Sequence, residues 1–141
     1  MTTLEKLREQ ERLFAAAFAR GDVKAARPLY HADVVYFSPT VRLFDWPRPI
    51  EGVDRTLEFI QLTIGSCRNI HYEAVEQAVL PDGRSAFVRI HFDFDAGKAR
   101  LRSNYVVLYR YRDGRIAQQE LYYDPSALLE SVPRDGTPRP G

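Results

Sequence analysis

The second half of the chain constrains its architecture most. Runs over residues 70–80, 85–94, 99–111 and 115–123 are rich in β-branched and aromatic residues. Three turn signatures separate them: Pro81-Asp82-Gly83, Asp95-Ala96-Gly97-Lys98 and Asp113-Gly114. Short glycine-bearing links between strand-like runs are hairpin signals. Three in succession predict a four-stranded antiparallel meander. The first half reads differently. Over residues 3–19, Leu7, Phe14, Ala17 and Phe18 fall on one helical stripe, with Thr3 placed to cap it. Gly21-Asp22 ends that helix, and Asp22 is set to cap a second one over 23–30, kinked at Pro28. Residues 34–38 read as a short strand and 39–49 as a proline-rich loop around Trp46. Gly52 then opens a third helix, with Leu57, Ile60 and Ile64 on its buried side and Gly65 at its C′ position. Helices first and sheet second predict an α+β domain with the helices on one face.

With 141 residues there is one domain, assigned to 1–132, and its size needs no staples. Asp124-Pro125 reads as the start of a short terminal helix over 126–131. Residues 133–141 hold no apolar anchor and read as a flexible tail. The 20 Lys and Arg nearly balance the 19 Asp and Glu, which argues against a nucleic-acid or anionic-membrane binder. Cys67 is the single cysteine, and the three histidines form no metal-binding motif, so neither disulfide nor metal is expected. No apolar stretch approaches the roughly 20 residues needed to span a bilayer. The reading is of a reduced, cytoplasmic protein.

Hairpin register separates the two faces of the sheet. A tight turn at 95–98 sets Phe94 opposite Ala99, Phe92 opposite Leu101, Ile90 opposite Ser103 and Val88 opposite Tyr105. That face is apolar and must meet the helices. The other pairs Asp93 with Arg100, His91 with Arg102 and Arg89 with Asn104. On the same outer face Phe87, Val106 and Leu108 form an apolar patch, from which a homodimer is expected.

The order of elements, with Gly21-Asp22, Tyr30-His31-Ala32-Asp33, Ser38-Pro39, Pro49-Ile50-Glu51-Gly52 and Asp113-Gly114-Arg115-Ile116, resembles the nuclear transport factor 2-like superfamily. Within it the chain resembles the SnoaL-like proteins and the ketosteroid isomerases over about residues 4–131. The resemblance implies a cone: a strongly curved antiparallel sheet wrapped around three N-terminal helices, with a deep apolar pocket at its open end. It implies cofactor-independent acid–base chemistry on a hydrophobic small molecule, by isomerisation, cyclisation, dehydration or epoxide opening. Other members of such a family only bind ligands or scaffold complexes. Where ketosteroid isomerases carry a general-base Asp, this chain has Ser38. Their oxyanion-hole Tyr corresponds to about Phe14, and their neutral Asp to about Val107. The acid of SnoaL-type cyclases corresponds to about Leu121. All four positions lack the polar group.

The remaining candidates for chemistry are Tyr36, His71 and Glu120. Tyr36 shares the inward face of the first strand with Ser38, where its hydroxyl can meet a developing oxyanion. His71 lies on a strand whose parity stays open, because Ile70, Tyr72 and Ala74 compete with Val75 and Val79 for the inside. A plain two-residue turn at Asp113-Gly114 points Glu120 into the pocket, where desolvation raises its pKa. The family pattern instead implies a bulge that turns Gln119, Leu121 and Tyr123 inward. Phe14, Phe18, Ser38, Trp46, Tyr105, Tyr109, Gln119 and Tyr123 are expected to shape the cavity, with Trp46 as lid or plug. Cys67 follows the third helix beside Arg68 and is read as somewhat acidified or as filler. Two or more ionisable groups converging inside the cone favour catalysis, and a neutral lining favours binding alone.

Overall fold

The computed structural model describes residues 1–124 and 129–132. Helix α1, Leu4–Ala19, begins where Thr3 Oγ1 accepts the Lys6 backbone N–H at 3.2 Å, satisfying one free donor of the first turn. Its buried residues include Leu7, Phe14 and Phe18 and also, unexpectedly, Gln10 and Glu11. The next segment, Val23–Leu29, is a 3₁₀ helix rather than a kinked α-helix. Pro28 removes a donor and crowds the turn before it, which disfavours an α-helix this short. Asp22 does not cap it through its side chain. Gln61 Oε1 takes the Val23 N–H instead, at 3.0 Å.

Strand β1, Tyr30–Phe37, is longer than expected and is followed by a 3₁₀ turn, Pro39–Phe44. Ser38 caps that turn, its Oγ accepting the Thr40 N–H at 3.2 Å. Strand β2, Ile50–Glu51, pairs antiparallel with β1. Helix α2, Val53–Ile64, follows Gly52, whose φ of 91° only glycine adopts at ease. Gly65 is right-handed at φ −61° and is not the left-handed residue expected there. Asn69, at φ 50°, holds that conformation instead.

The meander comprises β3, Arg68–Val79, β4, Ser85–Ala96, β5, Ala99–Arg112, and β6, Arg115–Tyr122. Strand β1 lies parallel to β6, giving the order β2-β1-β6-β5-β4-β3 in a curved, unclosed sheet. The β4–β5 turn is tighter than read from sequence. Ala96 faces Ala99 and Phe94 faces Leu101, a shift of two residues. An even shift leaves both faces intact. It improves the outer face, since Asp93 now opposes Arg102 and Asp95 opposes Arg100. Arg102 grips Asp93 with two bonds, at 2.7 and 3.0 Å. Strand β7, Glu130–Ser131, pairs with β5 at Leu101 and Arg102, so this end of the expected terminal helix is a strand. The rest of that helix, at 126–128, and the expected tail at 133–141 lie outside the described residues.

The concave face of the sheet closes over α1 and α2. Val88, Ile90, Val107, Tyr109 and Ile116 from the strands pack with Leu7, Phe14, Leu57 and Phe59 from the helices in one core. No helix among the described residues is long and apolar enough to cross a membrane.

Candidate functional site

Between the concave face and the two helices lies a cavity of about 270 Å³. Alternation along the strands builds one wall. Tyr72, Phe92 and Phe94 come from β3 and β4, Ser103, Tyr105 and Val107 from β5, and Gln119 and Leu121 from β6. Strand β1 adds Tyr30 and Tyr36, with Ser38 beyond its end. The helices add Phe14 and Phe18 from α1 and Phe59, Ile60 and Ile64 from α2. Phe14, Ser38, Val107 and Leu121, the four positions at which the resemblance places acidic or donor groups, all line it.

The lining is aromatic and hydroxylic. Tyr30, Tyr36, Tyr72, Tyr105 and Tyr123 all reach it. Burial holds the pKa of each above the ordinary tyrosine value, so each stays a neutral hydroxyl. Tyr36 shares a hydrogen bond with Ser38, whose Oγ lies 3.5 Å from the Tyr123 hydroxyl. The Tyr30 hydroxyl donates to Gln119 Oε1 at 2.6 Å. That bond fixes the amide, and no acceptor among the described residues pairs with Gln119 Nε2, which remains a donor for a guest. No Asp, Glu, His, Lys or Arg lines the cavity among the described residues. Nor do three His, Cys, Asp or Glu side chains come together there as metal ligands.

The structure brings Phe14, Phe18, Tyr36, Ser38, Tyr105, Gln119 and Tyr123 together and separates the others. His71 faces solvent, 62% exposed, with Glu73 at 3.9 Å. The open parity of β3 has a simple cause. A bulge at Val75, unpaired between Ala74 and Glu76, lets Ile70 and Tyr72 point inward before it and Gln77 and Val79 after it. His71 is out of phase with them. Glu120 also turns outward. Past the pair Tyr111 and Ile116 the register slips by one, so Arg110 meets Gln118 and Leu108 meets Glu120. The Glu120 carboxylate accepts from Gln118 and Tyr122 and borders a second cleft outside, beside Arg48. Trp46 does not line the cavity. It packs behind Phe59 at 5.2 Å between ring centroids, with the Arg55 guanidinium 5.2 Å from its own. Tyr109 is buried beyond Phe14, stacked on it at 6.3 Å, and does not reach the cavity. The Cys67 thiol lines the cavity, where burial raises rather than lowers its pKa.

The group that the sequence reading missed is Glu11, 4% exposed in the core behind the cavity wall. Its Oε1 accepts the Tyr72 hydroxyl at 2.6 Å. Its Oε2 accepts Gln10 Nε2 at 3.1 Å and the Tyr109 hydroxyl at 3.2 Å. Tyr111 closes the network by donating to Gln10 Oε1 at 2.7 Å. Burial pushes the Glu11 carboxyl up to about 7, against the opposing pull of the hydrogen bonds it accepts. The signal was its spacing. Position 11 sits four residues after Leu7 and three before Phe14, on the core stripe of α1.

The SnoaL-like domain family matches residues 11–119. The chain belongs to the SnoaL-like family. No curated protein sequence matches it. Among solved structures, this SnoaL-like chain is similar to a Catenulispora acidiphila protein of ketosteroid isomerase-like fold in complex with trimethylamine. The two share 19% identity over 89% of each chain, with a TM-score of 0.68. It is similar to the epoxide hydrolase/cyclase-like enzyme SalBIII of pyran ring formation in salinomycin. Identity there is 17% over 89% of this chain and 96% of that one, with a TM-score of 0.69. It is also similar to an LEH-like epoxide hydrolase of Mycobacterium tuberculosis, at 17% identity over 85% and 84% and a TM-score of 0.63. At these identities the likeness is one of fold.

Proposed function

We propose that this protein binds a mostly apolar, ring-sized small molecule whose oxygen is held by tyrosine hydroxyls and the Gln119 amide. The observation that carries this reading is the lining itself: aromatic, neutral and set with hydroxyls that burial keeps protonated. Such a wall recognises a carbonyl or hydroxyl on an apolar body and offers nothing to a charged one. A second reading is cofactor-independent acid–base catalysis on such a molecule: isomerisation, cyclisation, dehydration or epoxide opening. The fold's likeness to epoxide hydrolase and cyclase-like proteins supports it in general terms. Glu11, one hydrogen bond behind Tyr72, supports it in particular. The protein is further proposed to pair with a second copy through the outer face of the sheet and to work in the cytoplasm, where one unpaired cysteine suits a reducing medium.

Titration calorimetry with 2-naphthol, an apolar two-ring phenol, tests the binding reading. Saturable binding with a negative heat-capacity change is expected. Ser103→Phe, which fills the cavity from β5, is expected to weaken it by about tenfold or more while the chain stays folded. Equal affinity in wild type and Ser103→Phe, or no saturable heat at all, would place 2-naphthol outside the cavity and overturn the reading.

A further inference from the structure

Three residues of the cavity wall, Ser38, Leu121 and Tyr123, also border the second cleft outside it, about 330 Å³ in volume. The two hollows therefore meet at the C-terminal ends of β1 and β6. Alternation along β6 divides its residues between them: Leu121 and Tyr123 reach the cavity, while Glu120 and Tyr122 border the cleft alone. Where the hollows meet, the contact between Ser38 Oγ and the Tyr123 hydroxyl is 3.5 Å long, at the weak limit for an O–H donor. A guest lying across this junction displaces little. The two hollows differ in charge. Among the described residues the cavity lining holds no charged group, whereas the cleft carries Arg48 and Glu120. These two are not equally available. Each Glu120 oxygen already accepts a hydrogen bond, one from Gln118 and one from Tyr122. Arg48 is exposed, and its side chain has no hydrogen bond or ion pair among the described residues. Its N–H donors are the free capacity of the cleft.

We propose that the second cleft is a carboxylate subsite, and that the ligand is an apolar ring acid whose body lies in the cavity and whose carboxylate reaches Arg48. This rests on the reading that the cavity takes a small molecule, and it names the class of that molecule. The cavity offers nothing to a charge, and the adjoining cleft gives the charge a place outside the neutral wall. A planar carboxylate matches the fork of a guanidinium, which can hold both of its oxygens. The cleft is open to water at Arg48, so neither ion is stripped of its hydration and the desolvation cost stays small. Glu120 borders the same cleft and repels a second anion, which orients the carboxylate toward the Arg48 side. An amine in the same place meets the repulsion of Arg48 and a Glu120 whose oxygens are already engaged.

Three ligands that share one body carry the test: 3-(2-naphthyl)propanoate, its primary amide and 3-(2-naphthyl)propylamine, each measured by calorimetry at neutral pH. At low ionic strength wild type is expected to bind the propanoate about fivefold tighter than the amide, as an ion pair in contact with water allows, and to bind the amine most weakly. Arg48→Gln, a change to an exposed side chain, is expected to bring the ratio of propanoate to amide affinity to about one. Added salt is expected to lower the same ratio in wild type. A wild-type ratio near one, a ratio that Arg48→Gln leaves unchanged, or an amine that binds tighter than the amide would overturn the subsite. In each of these cases binding of the amide leaves the cavity reading standing. If neither the propanoate, the amide nor 2-naphthol binds wild type, the cavity reading falls and the subsite falls with it.

Discussion

A carboxyl group on the core stripe of α1 is the residue that sets this chain apart from a plain aromatic box. Leu7, Phe14 and Phe18 on the same stripe need only apolar neighbours, whereas Glu11 needs donors. They come from Tyr72 and Tyr109, 61 and 98 residues along the chain. That distance is why the sequence shows the position but not its meaning: spacing puts Glu11 inside, and only the folded sheet supplies the hydroxyls. A pH signature follows. The carboxyl ordinarily titrates near 4.5 and is pushed up to about 7 in the fold. Between those values the folded chain keeps a proton that the unfolded chain has lost. The stabilisation is therefore complete below about pH 4.5 and is lost as pH rises through about 7. The shift amounts to about 3 kcal/mol at full extent. Glu11→Gln removes this slope, and urea unfolding at the two ends of the window is expected to show wild type losing stability relative to the variant by about that amount. Parallel profiles in wild type and variant would mean that Glu11 titrates alike in both states.

At the scale of elements, turns were legible and parity was not. The three hairpin links fall at Pro81-Asp82-Gly83, Asp95-Ala96-Gly97-Lys98 and Asp113-Gly114, the middle one narrowed to Gly97-Lys98, because left-handed backbone needs glycine or a short polar side chain. The β4–β5 register moved by an even number and its faces survived. The bulge in β3 did not announce itself, and the single-residue slip in β6 was implied by the family pattern alone. Nothing in the local sequence says which residue is left unpaired, yet each reverses the faces beyond it. These two irregularities set the directions of His71 and Glu120, which the sequence left open, and Phe59 stands between Trp46 and the cavity. The turn itself is testable. Asp113 and Gly114 both hold positive φ, 53° and 76°. No atom within 4 Å would meet a Cβ at Gly114, so Gly114→Ala meets conformational strain and nothing else. A loss of about 1 kcal/mol is expected by thermal or urea unfolding, with the cavity and its ligand affinity unchanged. An unaltered midpoint would show that this turn does not hold the β5–β6 register.

Across the whole molecule, one side of the sheet is spent on the cavity and core, which leaves the other to explain. Its centre carries charge that is already matched, Arg102 on Asp93 and Arg89 on Glu76. Next to these ion pairs the surface turns apolar. Phe87 is 39% exposed and Tyr122 54%, while Leu108, facing Phe87 across the ladder, is only 7% exposed within the single chain. The patch read from sequence is therefore narrower at Leu108 and extended at Tyr122, which pairs with Val106. A twofold axis through such a patch would bury Phe87 and Tyr122 of both copies with one set of contacts, and the flanking ion pairs would need no rearrangement. Light scattering behind size exclusion is expected to give twice the chain mass at micromolar concentration. Phe87→Asp sets two carboxylates against each other across the axis and is expected to return the chain mass with the ligand affinity unchanged. A wild-type protein that elutes at the chain mass would remove the pairing while leaving the cavity intact, because no residue of this patch lines it.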